Sequence, residues 1–416
     1  MASPSAGPLR IGLLGSGFIA HFHLQALLGV RDVQVAGVFS PTAAHRDALA
    51  AKADLLGLGP CATFPSVEAL AGSRAIDAVW ILGPNHTRLE HMRALHRAAK
   101  DGRTGVRAVA CEKPLARNLK EAREMLRLAE DAGLLTGYLE NQIFSTAIQR
   151  GKEIVWRRGA ANAGRPYLAR AAEEHSGPHR PWFWLGSKQG GGVLSDMMCH
   201  SLEVARFLLT DPDKPRSSLR PLSASGTIAT LKWTRPEYVR RLQELMGPEV
   251  DYARTPAEDF ARGTIVLEDD RTQRLIIEAT TSWSYVGPGL RLQMELLGPE
   301  YAMEFNSLNT GLRVFMSRAV SGSAGEDLVE KQNAEQGLMP ILEDEAGVYG
   351  YTLEDRHMVE RFRQGKRPLE TFEDGVAVVE LLMALYKSAE TGQTVTLPDA
   401  GLEDFVPAVA RGLYRG

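Results

Sequence analysis

Short apolar runs alternate with segments of helical period through the first third of the chain. LRIGLLG, VQVAGVFS, AIDAVWILG, VRAVACEKP and LLTGYLENQ read as strands. FIAHFHLQALL, PTAAHRDALAAKADLLG, HTRLEHMRALHRAAKDG and LKEAREMLRLAEDAG lie between them, with apolar residues three and four apart. This alternation predicts a parallel, doubly wound α/β domain over residues 9–143, because nearly continuous apolar strands need helices on both faces. From about residue 150 the period becomes two. LSASGTIATLKW, ARGTIVLEDD, QRLIIEATTSWSY, RLQMELLG, AMEFNS and LRVFMS, with turn signals EDDR and NSLNTG, predict a large, mostly antiparallel open sheet. Helices are expected over PEYVRRLQELMG, LEDRHMVERFRQG and DGVAVVELLMALYKSAETG. The expected organisation is a disordered tail over 1–8, the parallel α/β domain over 9–143 and an α+β domain over 144–416.

Composition narrows the function classes. The 416 residues carry 48 basic and 51 acidic side chains, a formal charge of -3, and no block of like charge, so neither nucleic acid nor an anionic membrane is an expected partner. Cys61, Cys111 and Cys199 stand far apart without CxxC spacing, which argues against a disulfide framework and a thiolate zinc site. His and acidic residues show no metal-ligand spacing, so no metal is expected. MASPSAGP lacks the basic and apolar regions of a signal peptide, and a cytoplasmic protein is expected.

The first strand runs into Leu14-Gly15-Ser16-Gly17-Phe18-Ile19-Ala20, a GxGxxA pattern between strand and helix. Gly15 permits a tight turn, Gly17 a close approach of backbone to a pyrophosphate, and Ala20 close packing of helix on strand, while helix N–H groups at Phe18 and Ile19 face the anion. The reading is a Rossmann-type dinucleotide site. Strand two ends at Val38-Phe39-Ser40-Pro41 without the acidic residue that binds an NAD ribose. Ser40 can bond a hydroxyl and does not repel a 2′-phosphate, so NAD and NADP both stay open, with Arg46 read as a solvated helix charge. Ligands of such sheets sit beyond the strand carboxyl ends. Pro84 and Asn85, Glu112 and Lys113, and Asn141 lie there, and Lys113 reads on its own either as an ammonium that polarises a substrate oxygen or as a surface lysine paired with Glu112.

Three glycines lead into Asp196 and His200 in GGGVLSDMMCH, residues 190–200, and i, i+4 spacing puts that acid and imidazole on one helix face. Together with GSGFIA, GPNHTRLEH, CEKP at 111–114 and ENQIF at 140–144, this segment makes nearly the whole chain resemble the Gfo/Idh/MocA family of NAD(P)-dependent oxidoreductases. The resemblance implies that Lys113, Asp196 and His200 form the catalytic group. His200 would take the alcohol proton, Lys113 would stabilise the developing alkoxide, and Asp196 would orient hydroxyl or imidazole. The glycines would let backbone come up against nicotinamide and substrate. Two positions depart from the family pattern: Arg88 stands where a histidine is common, and Ser145-Thr146 where a proline is.

EEHSGPHRPWFW, residues 173–184, precedes the glycines. Indole faces stack on sugar rings, and His and Arg bond hydroxyls or acidic groups, so His175, His179, Arg180, Trp182 and Trp184 are substrate candidates beside Lys113, Asp196 and His200. A sugar, polyol or glycoside is the expected substrate class, oxidised with NAD or NADP. The alternatives are an NAD-dependent glycosidase or lyase that oxidises its sugar only transiently, and a non-catalytic NAD(P) or sugar sensor. The resemblance also implies a homodimer or homotetramer.

Overall fold

The computed structural model describes residues 7–316, 337–342 and 344–416. Residues 1–6 of the expected tail lie outside them, while Gly7 and Pro8 lead into the first strand. The chain divides into two compact units, Met1–Ser145 with Tyr349–Val379, and Thr146–Val348 with Glu380–Gly416.

The first unit alternates β1 (Leu9–Leu14), α1 (Phe18–Leu27), β2 (Val33–Phe39), α2 (Ala43–Leu55), β3 (Ala62–Thr63), α3 (Val67–Ala71), β4 (Ala78–Ile81), α4 (Asn85–Lys100), β5 (Ala108–Glu112), α5 (Leu119–Asp131) and β6 (Leu135–Leu139). The strands form one parallel sheet in the order β3-β2-β1-β4-β5-β6. The order reverses between β1 and β4, and there the diverging loops open a crevice at the strand carboxyl ends. Leu9, Ile11, Leu13 and Leu14 of β1 are all fully buried, as a strand covered on both faces requires. Helix α5 shows how the covering elements are specified. The Asn118 side chain accepts the Glu121 N–H at 3.0 Å, Leu119, Ala122, Met125, Leu128 and Ala129 make one buried face, and Gly133 at φ +65° carries the chain out. Each buried Leu or Met there contributes about 1.5–3 kcal/mol.

The helix Tyr351–Arg363 returns to this unit. Its Phe362 ring meets Trp80 edge-on at 5.8 Å, and Met358 sits so close to Gly137 that a Cβ there would lie 2.8 Å from sulfur. The helical period of the segment was readable, but the surface it covers was not, so the expected domain over 144–416 is interrupted by 349–379.

The second unit opens with α6 (Thr146–Ile154) and contains β7 (Leu168–Glu174), α7 (Val193–Leu209), β8 (Arg220–Ala229), α8 (Pro236–Met246), β9 (Phe260–Glu268), β10 (Arg274–Ser282), β11 (Arg291–Gly298) and β12 (Tyr301–Asn306). A two-stranded ribbon, β13 (Leu312–Met316) and β14 (Gly337–Ile341), stands apart from the main sheet, so LRVFMS does not join it. With β15 (Val395–Thr396), the main sheet runs β12-β11-β7-β10-β9-β8-β15. Every pairing is antiparallel except β7 with β10. Helix α7 covers one face, and the small side chains of Ala169 and Ala171 on β7 let it approach. On the other face Arg170 pairs with Glu278 at 2.8 Å and Glu295 at 3.2 Å. Among the described residues no helix is long and apolar enough to cross a membrane.

Candidate active site

The turn after β1 is shaped by what surrounds its two glycines. Gly15 has φ +134°, and a Cβ there would lie 2.9 Å from the Leu82 carbonyl carbon, so only glycine fits against the end of β4. Gly17 is the N-cap of α1, where no side chain caps the helix and no acidic residue occupies the first turn. A Cβ on Gly17 would meet nothing within 4 Å. The open side of this turn, facing a helix N-terminus free of competing carboxylates, fits the pyrophosphate of a dinucleotide. Ala20 is fully buried against the sheet, whereas Phe18 is exposed and Ile19 half-buried. The Ser16 hydroxyl donates to the Ser40 hydroxyl at 2.7 Å, joining the turn to the end of β2. Arg46 is not a solvated charge. Its side chain is 17% exposed and folds back so that Nη1 lies 3.4 Å from the Ser40 carbonyl.

The strand ends are tied together by charge. Arg88, buried in α4, donates Nε to the Gly83 carbonyl at 3.1 Å and Nη1 to the Glu112 carbonyl at 2.6 Å and to that of Pro114. The departure from the family pattern at this position thus replaces a ring with a brace between the loops after β4 and β5. Glu112 points inward. Its carboxylate meets His23 Nε2 at 3.2 Å and accepts the Lys113 N–H at 3.0 Å, while His23 Nδ1 lies 2.9 Å from Asp355. Asp355 also accepts the Trp80 indole N–H at 3.0 Å. Burial would lower the His23 pKa, but Asp355 and Glu112 outweigh it and hold the imidazolium well above the usual histidine range. Burial would raise Glu112, and the hydrogen bond and charge of His23 hold it below the usual carboxyl range. Glu112 is therefore a positioning group that sets the backbone of half-buried Lys113. Asn141 is buried as well and donates to the Tyr349 carbonyl at 2.8 Å. Pro84 is the N-cap of α4, and Asn85, its first residue, is buried.

In the second unit, the glycines before α7 make room for the unit's own side chains. Gly190 is left-handed at φ +99°. A Cβ on Gly191 would overlap the Tyr386 hydroxyl, and one on Gly192 would lie 2.6 Å from a Glu258 carboxylate oxygen. Those two groups cap the helix: Glu258 Oε1 accepts Gly192 N–H at 2.9 Å, Leu194 N–H at 3.0 Å and the Tyr386 hydroxyl at 2.5 Å, and Tyr386 Oη accepts Gly192 and Ser195 N–H. Glu258 Oε2 has no hydrogen-bond partner among the described residues, and burial pushes the carboxyl up to about 7. The room beside Gly191 and Gly192 is taken by Tyr386 and Glu258. Helix α7 is buried on every side, and Asp196 and His200, one turn apart, are each 3% exposed. Asp196 accepts the Trp283 indole N–H at 3.2 Å.

The family profile of the oxidoreductases with an NAD-binding Rossmann fold matches residues 9–139, and that of their C-terminal alpha/beta domain matches residues 170–397. The chain belongs to the Gfo/Idh/MocA oxidoreductase family. It is 33% identical over 391 residues to 1,5-anhydro-D-fructose reductase of Ensifer adhaerens, covering 93% of this chain and 98% of the relative. It is 25% identical over 398 residues to D-glucoside 3-dehydrogenase of Escherichia coli K12, covering 94% and 99%. GenD2 from gentamicin A biosynthesis, solved with NAD, shares the fold at a TM-score of 0.74 and 22% identity, covering 96% and 99% of the two chains.

In this Gfo/Idh/MocA oxidoreductase the segment 173–184 splits between core and surface. His175 is fully buried, its N–H donating to the Ser282 carbonyl and its Nδ1 accepting Gly177 N–H at 2.9 Å. Trp184, 2% exposed, donates to the Pro178 carbonyl and packs against Trp233, Tyr252 and Trp283 at 5.0–5.5 Å. His179 and Arg180 are exposed, and Trp182 is half-buried against Phe183, with ring centroids 3.7 Å apart. His175 and Trp184 thus anchor the loop that carries the other three. Sequence reasoning missed His23, Asp355, Glu258, Tyr386 and Trp283. The one available signal was His23, a polar residue inside the apolar run FIAHFHLQALL, and it does not name its partner.

Proposed function

We propose that this oxidoreductase exchanges a hydride with a hydroxyl-bearing carbon of a sugar, polyol or glycoside, using NAD or NADP. Gly15, Gly17, Phe18 and Ile19 hold the pyrophosphate, Ser40 the adenosine ribose, and Pro84, Asn85, the Glu112–Lys113 turn and Asn141 form the rim on the nicotinamide side. The nicotinamide, when bound, accepts or returns the hydride. In oxidation His200 takes the hydroxyl proton as the C–H hydride leaves, Lys113 stabilises the alkoxide oxygen, and Asp196, held by Trp283, orients the reacting group. His179, Arg180 and Trp182 are the exposed substrate contacts of the loop that His175 and Trp184 anchor.

The observation that supports this most is the Gly15–Gly17 turn, closed against β4 on one side and open beside an uncapped helix on the other. The substrate class is supported by the two curated relatives, named for an anhydrosugar and a glucoside. The experiment is to release and identify copurified nicotinamide, then screen sugars, polyols and glycosides for both reduction of the cofactor and bond cleavage. Lys113→Ala and His200→Ala are expected to keep cofactor binding and lose about 10²–10⁴-fold in turnover. Full turnover in either variant overturns the roles, and sugar release without net reduction replaces the dehydrogenase reading with the glycosidase one.

The face of the main sheet that carries Arg170, Glu278 and Glu295 is the proposed surface for a homodimer or homotetramer. The separate thiols Cys61, Cys111 and Cys199 fit a reducing, cytoplasmic setting.

A further inference from the structure

A cavity of about 420 Å³ opens within the second unit, lined by Trp184, Trp233, Tyr238 and Tyr285 together with Lys232 and Arg241. That volume lies in the range of small-molecule sites. The loop presenting Lys232 is fixed from behind. The backbone N–H groups of Leu231, Lys232 and Trp233 donate to the buried Asp259 carboxylate at 2.7, 2.9 and 2.9 Å, so both its oxygens are engaged by the main chain. The Lys232 ammonium lies 4.6 Å from the centre of the Trp233 ring and 5.1 Å from that of Tyr238. Among the described residues no carboxylate side chain is paired with Lys232 or Arg241. Burial and the Arg241 charge lower the Lys232 pKa, a cost that a bound anion would relieve. At the mouth, Leu245 and Val286 are 62% and 83% exposed, an apolar rim beside the two cations.

The walls of this cavity also reach the proposed catalytic helix. The Trp233 indole donates to the Trp283 carbonyl at 2.9 Å, Trp184 packs between these two indoles, and Trp283 holds Asp196. We infer that the cavity is a subsite for a sugar ring bearing one anionic group, a carboxylate or a phosphate ester. The ring's C–H faces pack on the aromatic walls, and Lys232 and Arg241 bind the charge. The inference rests on the proposed sugar oxidoreductase reading and names a part of the substrate.

The test titrates the intrinsic tryptophan fluorescence of the cofactor-loaded protein with glucuronate, glucose 6-phosphate, glucose and inorganic phosphate. Both charged sugars are expected to bind at least tenfold more tightly than glucose, and the tighter of the two identifies the anion. Lys232→Gln and Arg241→Gln should remove that preference while leaving the glucose affinity and the melting temperature unchanged. Equal affinity for charged and neutral sugars, a preference that survives both substitutions, or inorganic phosphate binding as tightly as the sugar phosphate would overturn the subsite. The readout needs no turnover, so its failure is distinct from a failure of the redox reading: nicotinamide reduction with neutral sugars alone would remove the subsite and keep the dehydrogenase.

Discussion

Arg46 folds back from α2 onto the end of β2, at the position where an acidic side chain would favour an unphosphorylated ribose. With Ser40 in that acidic position and a guanidinium beside it, Arg46→Ala is expected to weaken NADP binding about tenfold and NAD binding little, measured by fluorescence of the reduced nucleotides. Equal losses for the two nucleotides would mean that Arg46 serves only the fold. A single helix period cannot show that a charged residue bends toward a neighbouring strand, which is why Arg46 read as solvated. Lys113, Asp196 and His200 could be singled out for the opposite reason: each sits in a local motif of the resembled family, and their proposed roles come from that resemblance. Their supports, His23 and Trp283, lie 89 residues or so from the groups they hold and leave no local trace.

Helix α7 depends on a cap borrowed from far along the chain. Gly191→Ala would press a methyl group onto the Tyr386 hydroxyl and is expected to cost about 1–3 kcal/mol, read as a lower denaturation midpoint, with dinucleotide binding retained. Adding Tyr386→Phe should recover part of that loss, so the double variant falls short of the sum of the singles. Glu258 gives the same cap a pH signature. Between its ordinary value of 4.5 and about 7 the native protein keeps a proton that the unfolded chain has released. Its contribution is therefore fully present below that window, declines on the order of 3 kcal/mol as pH rises through it, and is flat above. Glu258→Gln should flatten that part of the stability profile measured by chemical denaturation at pH 5 and pH 8. Elements with strong periods were legible at this scale, including α8 and every strand of the parallel sheet but the two-residue edge strand β3. Strand β7 was not: LARAAEE is alanine-rich and weakly apolar, and its parallel pairing with β10 joins residues about a hundred positions apart.

On the scale of the whole molecule, the second sheet leaves one face to be explained. Arg170, Glu278 and Glu295 form its ion-paired centre, and Arg170→Glu is expected to shift a self-associated species toward monomer in sedimentation equilibrium. A wild-type protein that is monomeric at every concentration would remove the proposed interface. The architecture of both sheets followed from the change of period near residue 150, whereas the ownership of 349–379 could not, since it depends on Asp355, Met358 and Phe362 finding His23, Gly137 and Trp80. That late return sets an order on synthesis. A nascent chain that has just completed β6 holds Glu112 but still lacks Asp355, the second carboxylate on His23, and the cover for Trp80, and both arrive only after the polypeptide of the other unit, up to residue 348, has been made. The nucleotide-binding half begins first and is finished late, so cutting the gene after residue 145 would release a fragment whose His23 keeps Glu112 but loses Asp355, and whose Trp80 indole is left bare.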